Sequence, residues 1–377
     1  MKIVDVCAFY TPQGGGVRTY IEQKLAIGPR LGHEIVILAP GEDRSVREFG
    51  DGARIVTIPS PRFPLDRKYR FFDDEAALHR ELDELSPDFV EVSSPWRSPS
   101  MVQRWNGSAR RSLFMHADPL SAYAYRWFQP LFARAAIDRQ FGLFWEHLRT
   151  LGRHFDLTVC ANLDLSSRLA EGGVANVVTH AMGVETGLFS PARRDMRLRA
   201  DLLAKCALPE EANLLVAAGR LAPEKRWPMV VEAVEAASLH SPIGLVLFGE
   251  GRERRAIRRA IAGNPHIRLF EPIRHRETFA AILASADALI HGCEAETFCM
   301  VAAEARASGT PVIVPDQGGA ADHARGGAGE TYLSCDPASA AQAVLRLLAA
   351  PRLVRPANDC RTNEQHFAEL FNHYAVL

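Results

Sequence analysis

HGCEAETFCMVAAEARASGTPVIVPDQGG, residues 291–319, joins a loop, a helix and a strand, with two carboxylates placed to serve one ligand. The loop ends near Thr297, the apolar spacing predicts a helix from Phe298 to Ser308, and PVIVP (311–315) reads as a short buried strand. Gly309 is the expected helix stop. A helix starting at Phe298 presents unpaired backbone amides and a positive dipole end, where anions dock. Glu296 precedes that end and Glu304 lies two turns inside, so both can face one phosphate-bearing, hydroxyl-rich ligand. A capping glutamate followed by an exposed helix glutamate is the plainer alternative.

The stretch E-T-F-C-M-V-A-A-E-A-x-A-S-G-T-P-V-I resembles the E-x-F-G-x-x-x-x-E-A-x-A-x-G-x-P-V-I signature of family-4 glycosyltransferases. These are retaining enzymes of the GT-B fold that use nucleotide-sugar donors. Cys299 stands where that family usually carries glycine.

The chain has 377 residues, 47% hydrophobic and 24% charged, with a net charge of −1. That length gives two or three domains with ample cores, and the balanced charge excludes a broadly basic nucleic-acid binder. No segment reaches the roughly 18 uninterrupted apolar residues of a membrane span. MKIVDVCAFY is interrupted by Asp5 and reads as a first buried strand, not a signal peptide. Cytoplasm is the expected compartment, and the seven scattered cysteines fit reduced thiols. With no metal-ligand spacing and no Asp-x-Asp, neither a metal site nor a cofactor is expected.

Apolar runs alternate with helical periodicity along the whole chain, the signal of βαβ units. Strands are expected at 2–9, 34–39, 54–58, 89–92, 111–115, 156–160 and 177–180. A second series lies at 214–218, 244–248, 267–270, 288–291 and 311–315. Helices are expected between them, including 17–31, 72–85, 163–171, 229–237, 252–261, 277–284 and 338–348. Residues 119–154 read as helical with a break at Pro130, and 59–72, Pro-rich and basic, as a surface loop. The linker AMGVETGLFSPARRD (181–195) divides two α/β halves. The expected architecture is therefore two Rossmann-like parallel-sheet domains facing across a cleft: 1–190 for the acceptor and 191–355 for the donor. Residues 356–377 form a closing helix, which the resemblance implies crosses back to the first domain.

Three other places carry candidate chemistry. Gly14-Gly15-Gly16 lies between the first strand and first helix, where glycine lets amides approach a phosphate; a plain tight turn is the alternative. It resembles the family's G-G-x-x loop, which lies against donor and acceptor. Gly219-Arg220-Leu221-Ala222-Pro223-Glu224-Lys225 follows a strand and brings Arg220 and Lys225 together on an exposed loop, a pairing suited to a diphosphate. It resembles the family's G-R-L-x-x-x-K diphosphate segment. His116 ends a strand in LFMHADP, with Asp118 beside it; the family has a similar histidine close to the donor sugar. Gly249-Glu250-Gly251 and Gly318-Gly319 resemble two further family turns, with Asp322 at a position usually held by glutamate.

Between residues 100 and 155 eight arginines outnumber three acids, and Trp127, Phe128, Phe132, Phe141, Phe144 and Trp145 are interleaved. Core packing explains such aromatics. The alternative is a face on an anionic membrane surface, peripheral on the inner side of the cell membrane, whose binding weakens with salt.

The resemblance implies a retaining transfer of a sugar from a UDP- or GDP-sugar to a hydroxyl acceptor, lipid-linked or polysaccharide, in cell-envelope synthesis. Arg220 and Lys225 would neutralise the leaving diphosphate without a metal, and the amides of Phe298, Cys299, Met300 and Val301 would hold the donor. Glu304 would take the ribose, and Glu296 with His116 the sugar, in a front-face reaction where the leaving phosphate helps deprotonate the acceptor. The rivals are a sugar-nucleotide epimerase or phosphorylase of the same fold, and a nucleotide-sugar binding protein without turnover.

Overall fold

Val, Ile and Leu dominate the short apolar runs, and such runs, buried on both faces, assemble as parallel sheets covered by helices. In the computed structural model, which describes residues 1–11, 15–63, 69–128, 131–350 and 360–377, they form two sheets in two compact units. The first unit comprises Met1–Met182 and Asn363–Leu377, and the second Gly183–Thr362. The unit changes at Met182–Gly183, inside the expected linker and ahead of the 190/191 division.

The first unit holds β1 (Lys2–Cys7), β2 (Glu34–Gly41), β3 (Ser45–Glu48), β4 (Ala53–Pro59), β5 (Phe89–Ser93), β6 (Arg110–Phe114), β7 (Leu157–Cys160) and β8 (Val177–Thr179). Their order is β3-β4-β2-β1-β5-β6-β7-β8, parallel apart from the antiparallel β3–β4 pair at one edge. Strand order reverses between β1 and β5, whose register runs Ile3↔Phe89 to Cys7↔Ser93. The first helix, Gly16–Ile27, follows β1 directly. Residues 119–154, expected as one broken helical stretch, divide into Leu120–Tyr125, Arg126–Phe128, Arg134–Gln140 and Gly142–His154. Pro130 lies outside the described residues, as do Gly14, the part of the closing segment before Cys360 and the centre of the 59–72 loop.

A buried ion network lies beneath this sheet. Lys24, on the inner face of the first helix, places Nζ 2.9 Å from Asp5 Oδ2 and 2.8 Å from Glu91 Oε2, and all three side chains are fully buried. Ser93 Oγ donates to Asp5 at 3.0 Å, and Tyr374 OH donates to Glu91 at 2.7 Å. Tyr374 belongs to the terminal helix Asn363–Ala375, and its ring stacks on Phe89 at 4.0 Å. That helix thus packs within the first unit by aromatic stacking and by a charge-linked hydrogen bond.

The second unit holds β9 (Asn213–Ala218), β10 (Ile243–Phe248), β11 (Ile267–Phe270), β12 (Ala288–Ile290), β13 (Val312–Pro315) and β14 (Gly329–Tyr332), ordered β11-β10-β9-β12-β13-β14 and all parallel. Order reverses between β9 and β12, paired at Ala288↔Leu215 and Leu289↔Val216. The crevice beyond the carboxyl ends at such a reversal is the usual ligand position in open α/β sheets. Helices Trp227–Ser238 and Pro337–Ala349 pack together over one sheet face around Leu215, Leu245 and Ile290. Asp195, at the end of the expected linker, caps an additional helix, Met196–Lys205, accepting from Arg197 N at 2.9 Å. Among the described residues no helix is long and apolar enough to cross a membrane.

Candidate functional site

The loops after β9 and β12 meet at the strand-order reversal of the second unit. The β9 loop turns through Pro223–Lys225, and Arg226 takes a left-handed conformation at φ 49° before the helix Trp227–Ser238. The β12 loop carries His291 to Cys299 and leads into the helix Met300–Ala307. Its first intrahelical donors are Ala302 and Ala303, bonded to the Cys299 carbonyl at 3.0 and 3.2 Å, so the amides of Cys299, Met300 and Val301 precede the hydrogen-bonded turns. The expected start at Phe298 moves to Met300 because Cys299 sits at φ 69°, ψ 69°, outside helical space.

Lys225 Nζ forms an ion pair with Glu296 Oε1. His291 Nε2 lies 3.0 Å from that same oxygen, so neither contact uses Oε2. Lys225 is not on an exposed loop as expected: its side chain is 12% accessible and that of Glu296 21%. Burial opposes the charge of each, but the opposite charge outweighs it, holding Lys225 above and Glu296 below their ordinary pKa ranges. Burial lowers the pKa of His291, against the pull of Glu296. A neutral ring beside an ionised carboxylate carries its proton on Nε2 and donates it.

His291 has no counterpart among the sequence candidates. Its amide bonds to Ile313 O at 2.9 Å, Tyr332 OH donates to its carbonyl at 2.7 Å, and Trp227 meets its ring edge-on at 5.9 Å. Trp227 Nε1 in turn donates to Arg220 O at 2.8 Å. One packed chain therefore links Glu296 to the loop of Arg220 and Lys225. Arg220 itself is 69% exposed and paired with Glu224 at 2.9 Å. Arg226, also absent from the candidates, forms a two-point bond with Glu294, through Nε at 2.8 Å.

Glu304 is buried in the helix Met300–Ala307, 3.3 Å from Arg276 Nη2. The same guanidinium lies 3.1 Å from Glu185, and burial pushes the Glu304 carboxyl up to about 7 against the pull of Arg276. The glycine pairs keep these loops close. A Cβ at Gly318 would come within 2.2 Å of Glu294 O, and Gly319 N donates to Glu296 O at 2.6 Å. A Cβ at Gly249 would meet Gly219 O at 2.2 Å. Asp322 pairs with Arg325 at 3.1 Å.

In the first unit Gly15 and Gly16 are exposed at the start of the helix Gly16–Ile27. His116 follows β6, stacked on Phe114 at 4.3 Å and edge-on to Tyr20 at 4.8 Å. Burial lowers its pKa to about 4, Asp5 opposing and Lys24 adding, so the ring is neutral near pH 7. Asp118, expected as its neighbour, instead caps the following turn through Ser121 N at 3.2 Å and pairs with Arg168.

His291, Glu296 and Cys299 bring three possible metal ligand atoms within 4.8 Å of one another. The Lys225 ammonium already engages that carboxylate, however, and burial, then Glu296, keeps the Cys299 thiol protonated. With the helix amides alongside, the local field favours an anion.

Two parallel-sheet α/β units, each with a strand-order reversal, define a GT-B-type architecture. Solved structures of sucrose-phosphate synthase from Thermosynechococcus elongatus (TM-score 0.70, 18% identity, 100% of this chain and 96% of that one) and a trehalose-phosphate synthase from Burkholderia xenovorans (0.71, 13%, 99% and 100%) share it. Residues 212–350 match the family described as glycosyl transferases group 1, and residues 15–183 the glycosyl transferase 4-like domain. A GDP-mannose-dependent alpha-mannosyltransferase of Mycobacterium tuberculosis (strain CDC 1551 / Oshkosh) is 30% identical over 85% of this chain and 81% of its own. A GDP-mannose-dependent alpha-(1-6)-phosphatidylinositol dimannoside mannosyltransferase of Mycobacterium tuberculosis (strain ATCC 25177 / H37Ra) is 31% identical over 83% and 79%. The chain belongs to the group 1 glycosyl transferases.

Proposed function

We propose that this glycosyltransferase moves mannose from GDP-mannose to a hydroxyl of a lipid-linked acceptor, with retention at the anomeric carbon and without a metal ion, at the cytoplasmic face of the membrane. The names of the two mycobacterial relatives support this donor and a glycolipid acceptor. The observation that carries the chemistry is Glu296, fixed through Oε1 by Lys225 and His291 with Oε2 left for the sugar.

In this reading the diphosphate docks on the amides of Cys299, Met300 and Val301. It draws Lys225 from Glu296, since a phosphate carries more charge than the carboxylate it replaces. Lys225 and the exposed Arg220 then neutralise charge building on the leaving group, a stabilisation that needs no metal. Glu296 stays anchored by His291 as positive charge develops at the anomeric carbon. Glu304 takes the ribose hydroxyls. The leaving phosphate helps to deprotonate the acceptor hydroxyl on the face it departs from, which retains the configuration.

Thermal shifts with GDP, UDP and ADP test the nucleotide: a ligand at 100 times its dissociation constant stabilises by about 2.7 kcal/mol. GDP should give the largest shift, and a preference for UDP or ADP would overturn the guanosine assignment. Tight GDP-mannose binding with neither transfer nor slow hydrolysis would favour a binding protein.

A further inference from the structure

The glycine pair at 318–319 opens a short helix, Gly318–Asp322, which follows β13 and lies against the β12 loop. A Cβ at Gly319 would come within 2.6 Å of the Thr297 carbonyl carbon, and the Gly319 amide donates to Glu296 O at 2.6 Å. His323, the residue after this helix, reaches the same loop. Its Nε2 lies 2.6 Å from Phe298 O, and its ring meets that of Phe298 edge-on at 4.9 Å. The carbonyls of Glu296 and Phe298 are thus both held by one short segment. A carbonyl only accepts, so Nε2 carries the proton; burial, opposed by the Phe298 carbonyl, lowers the ring's pKa to about 4 and leaves it neutral near pH 7.

In a trans peptide the carbonyl and the following amide point in opposite directions. The bond to Phe298 O therefore turns the Cys299 N–H away from His323. The other side of Cys299 is fixed too, since its carbonyl accepts from Ala302 and Ala303 at 3.0 and 3.2 Å. Cys299 itself sits at φ 69° with its side chain buried, a conformation that is strained for any residue bearing a Cβ. A flip of the Phe298–Cys299 peptide would return Cys299 to negative φ and relieve that strain. It would also reverse the N–H. The hydrogen bond from His323 opposes the flip, because a buried carbonyl that loses its donor is costly. Glycine at 299 would be at ease with positive φ and would need no such restraint.

We propose that His323 is a positioning residue for the transfer reaction: it holds the Phe298–Cys299 peptide so that the Cys299 N–H stays directed at the donor diphosphate. The inference rests on the reading that the diphosphate docks on the amides of Cys299, Met300 and Val301. Strain and restraint are matched in this chain. Cys299 supplies the tendency of the peptide to turn, and His323 cancels it from the opposite side. The bond to Phe298 O also polarises the peptide and strengthens its N–H as a donor. His323 acts only through this peptide, so its influence should depend on which residue stands at 299.

The test is a double-mutant cycle at residues 299 and 323 in the full chain, read by calorimetric titration with GDP and with guanosine. His323→Phe keeps a ring and removes the donor, whereas His323→Gln restores an N–H at similar reach. His323→Phe should bind GDP about tenfold less tightly. Its guanosine affinity should stay at the wild-type level, which also shows that the variant is folded. His323→Gln should recover most of the loss. With Cys299→Gly already in place, His323→Phe should cost less than about threefold in GDP affinity, because the strain that drives the flip is gone. Wild-type GDP affinity in His323→Phe would overturn the proposal. Equal losses with cysteine and with glycine at 299, or a matching loss for guanosine, would reduce His323 to a packing residue and overturn it as well. Wild type binding GDP no more tightly than guanosine would instead overturn the diphosphate reading, and this role with it. Should UDP or ADP give the larger thermal shift, that nucleotide and its nucleoside replace the pair, so a wrong base leaves the test intact.

Discussion

Replacing Glu296 by glutamine removes one charge and little else. Glutamine keeps an oxygen for Lys225 and His291, so two charge-assisted hydrogen bonds become weaker. Bonds to charged groups are worth about 1.5–3 kcal/mol and neutral ones about 0.5–1.5. With both side chains of the pair largely shielded, the variant should lose about 1–2 kcal/mol of stability, more than a simple helix-capping role would cost. Turnover should fall further, because the charge proposed to face the anomeric carbon is gone: about 1.5–3 kcal/mol of barrier is roughly ten- to hundredfold in rate. Nucleotide affinity should move the other way. Lys225 no longer has an anionic partner to leave, so GDP should bind as well as to wild type or up to about tenfold more tightly. Calorimetric titration with GDP, alongside initial rates of mannose transfer, reads both quantities. Wild-type turnover in Glu296→Gln would refute the role given to this carboxylate, and weakened GDP binding would refute the exchange of Lys225 between Glu296 and the diphosphate.

His291→Phe keeps a buried ring but leaves Glu296 held by Lys225 alone; kcat should drop about tenfold with GDP affinity nearly unchanged, His291→Gln should recover part of the loss, and a pure affinity defect would count against the positioning role. At Cys299 a left-handed residue with a side chain carries about 1–2 kcal/mol of strain, so Cys299→Gly should melt above Cys299→Ala, and the reverse order in thermal denaturation would contradict that account. Lys24→Met leaves the buried Asp5 and Glu91 without their cation and should cost about 3–5 kcal/mol in urea unfolding; a loss below about 1 kcal/mol would mean that the network contributes little. His116 takes up its proton only near pH 4 when folded but near its ordinary value of about 6.5 when unfolded. Between those limits the unfolded state binds more protons, so His116 destabilises the fold by up to about 1.4 kcal/mol for each unit of falling pH. His116→Asn should flatten that acid limb, and an unchanged slope would discount the burial of the ring.

Where local pattern and tertiary structure agree, the chain could be read directly. The helix Leu163–Glu171 and the strand Ile267–Phe270 fall on the expected residues, and apolar runs such as Leu214–Ala218 are buried strands within a residue of their predicted limits. The loops after β9 and β12 were legible because their glycines, cations and glutamates lie close together in sequence. The strand β3 was not, since all four of its residues are exposed at an antiparallel edge and leave no apolar signal. Lys24 was hidden in an apolar stripe beside Ile21 and Leu25; its partners Asp5 and Glu91 come from separate strands, and only Asp5, breaking the first run, gave a hint. Likewise the burial of Lys225 depends on Glu296, 71 residues away. His291 looked like the end of a strand, and its bearing on Glu296 emerges only when β12 and its loop fold over Trp227.

The most direct test incubates the purified protein with GDP-mannose and a lipid extract in the presence of a chelator, then reads the anomeric configuration of the mannolipid by NMR. Transfer should survive chelation and give an α-linked product, matching the donor. A β-linked product would rule out retention, and transfer that stops when metal is removed would rule out a metal-independent reaction.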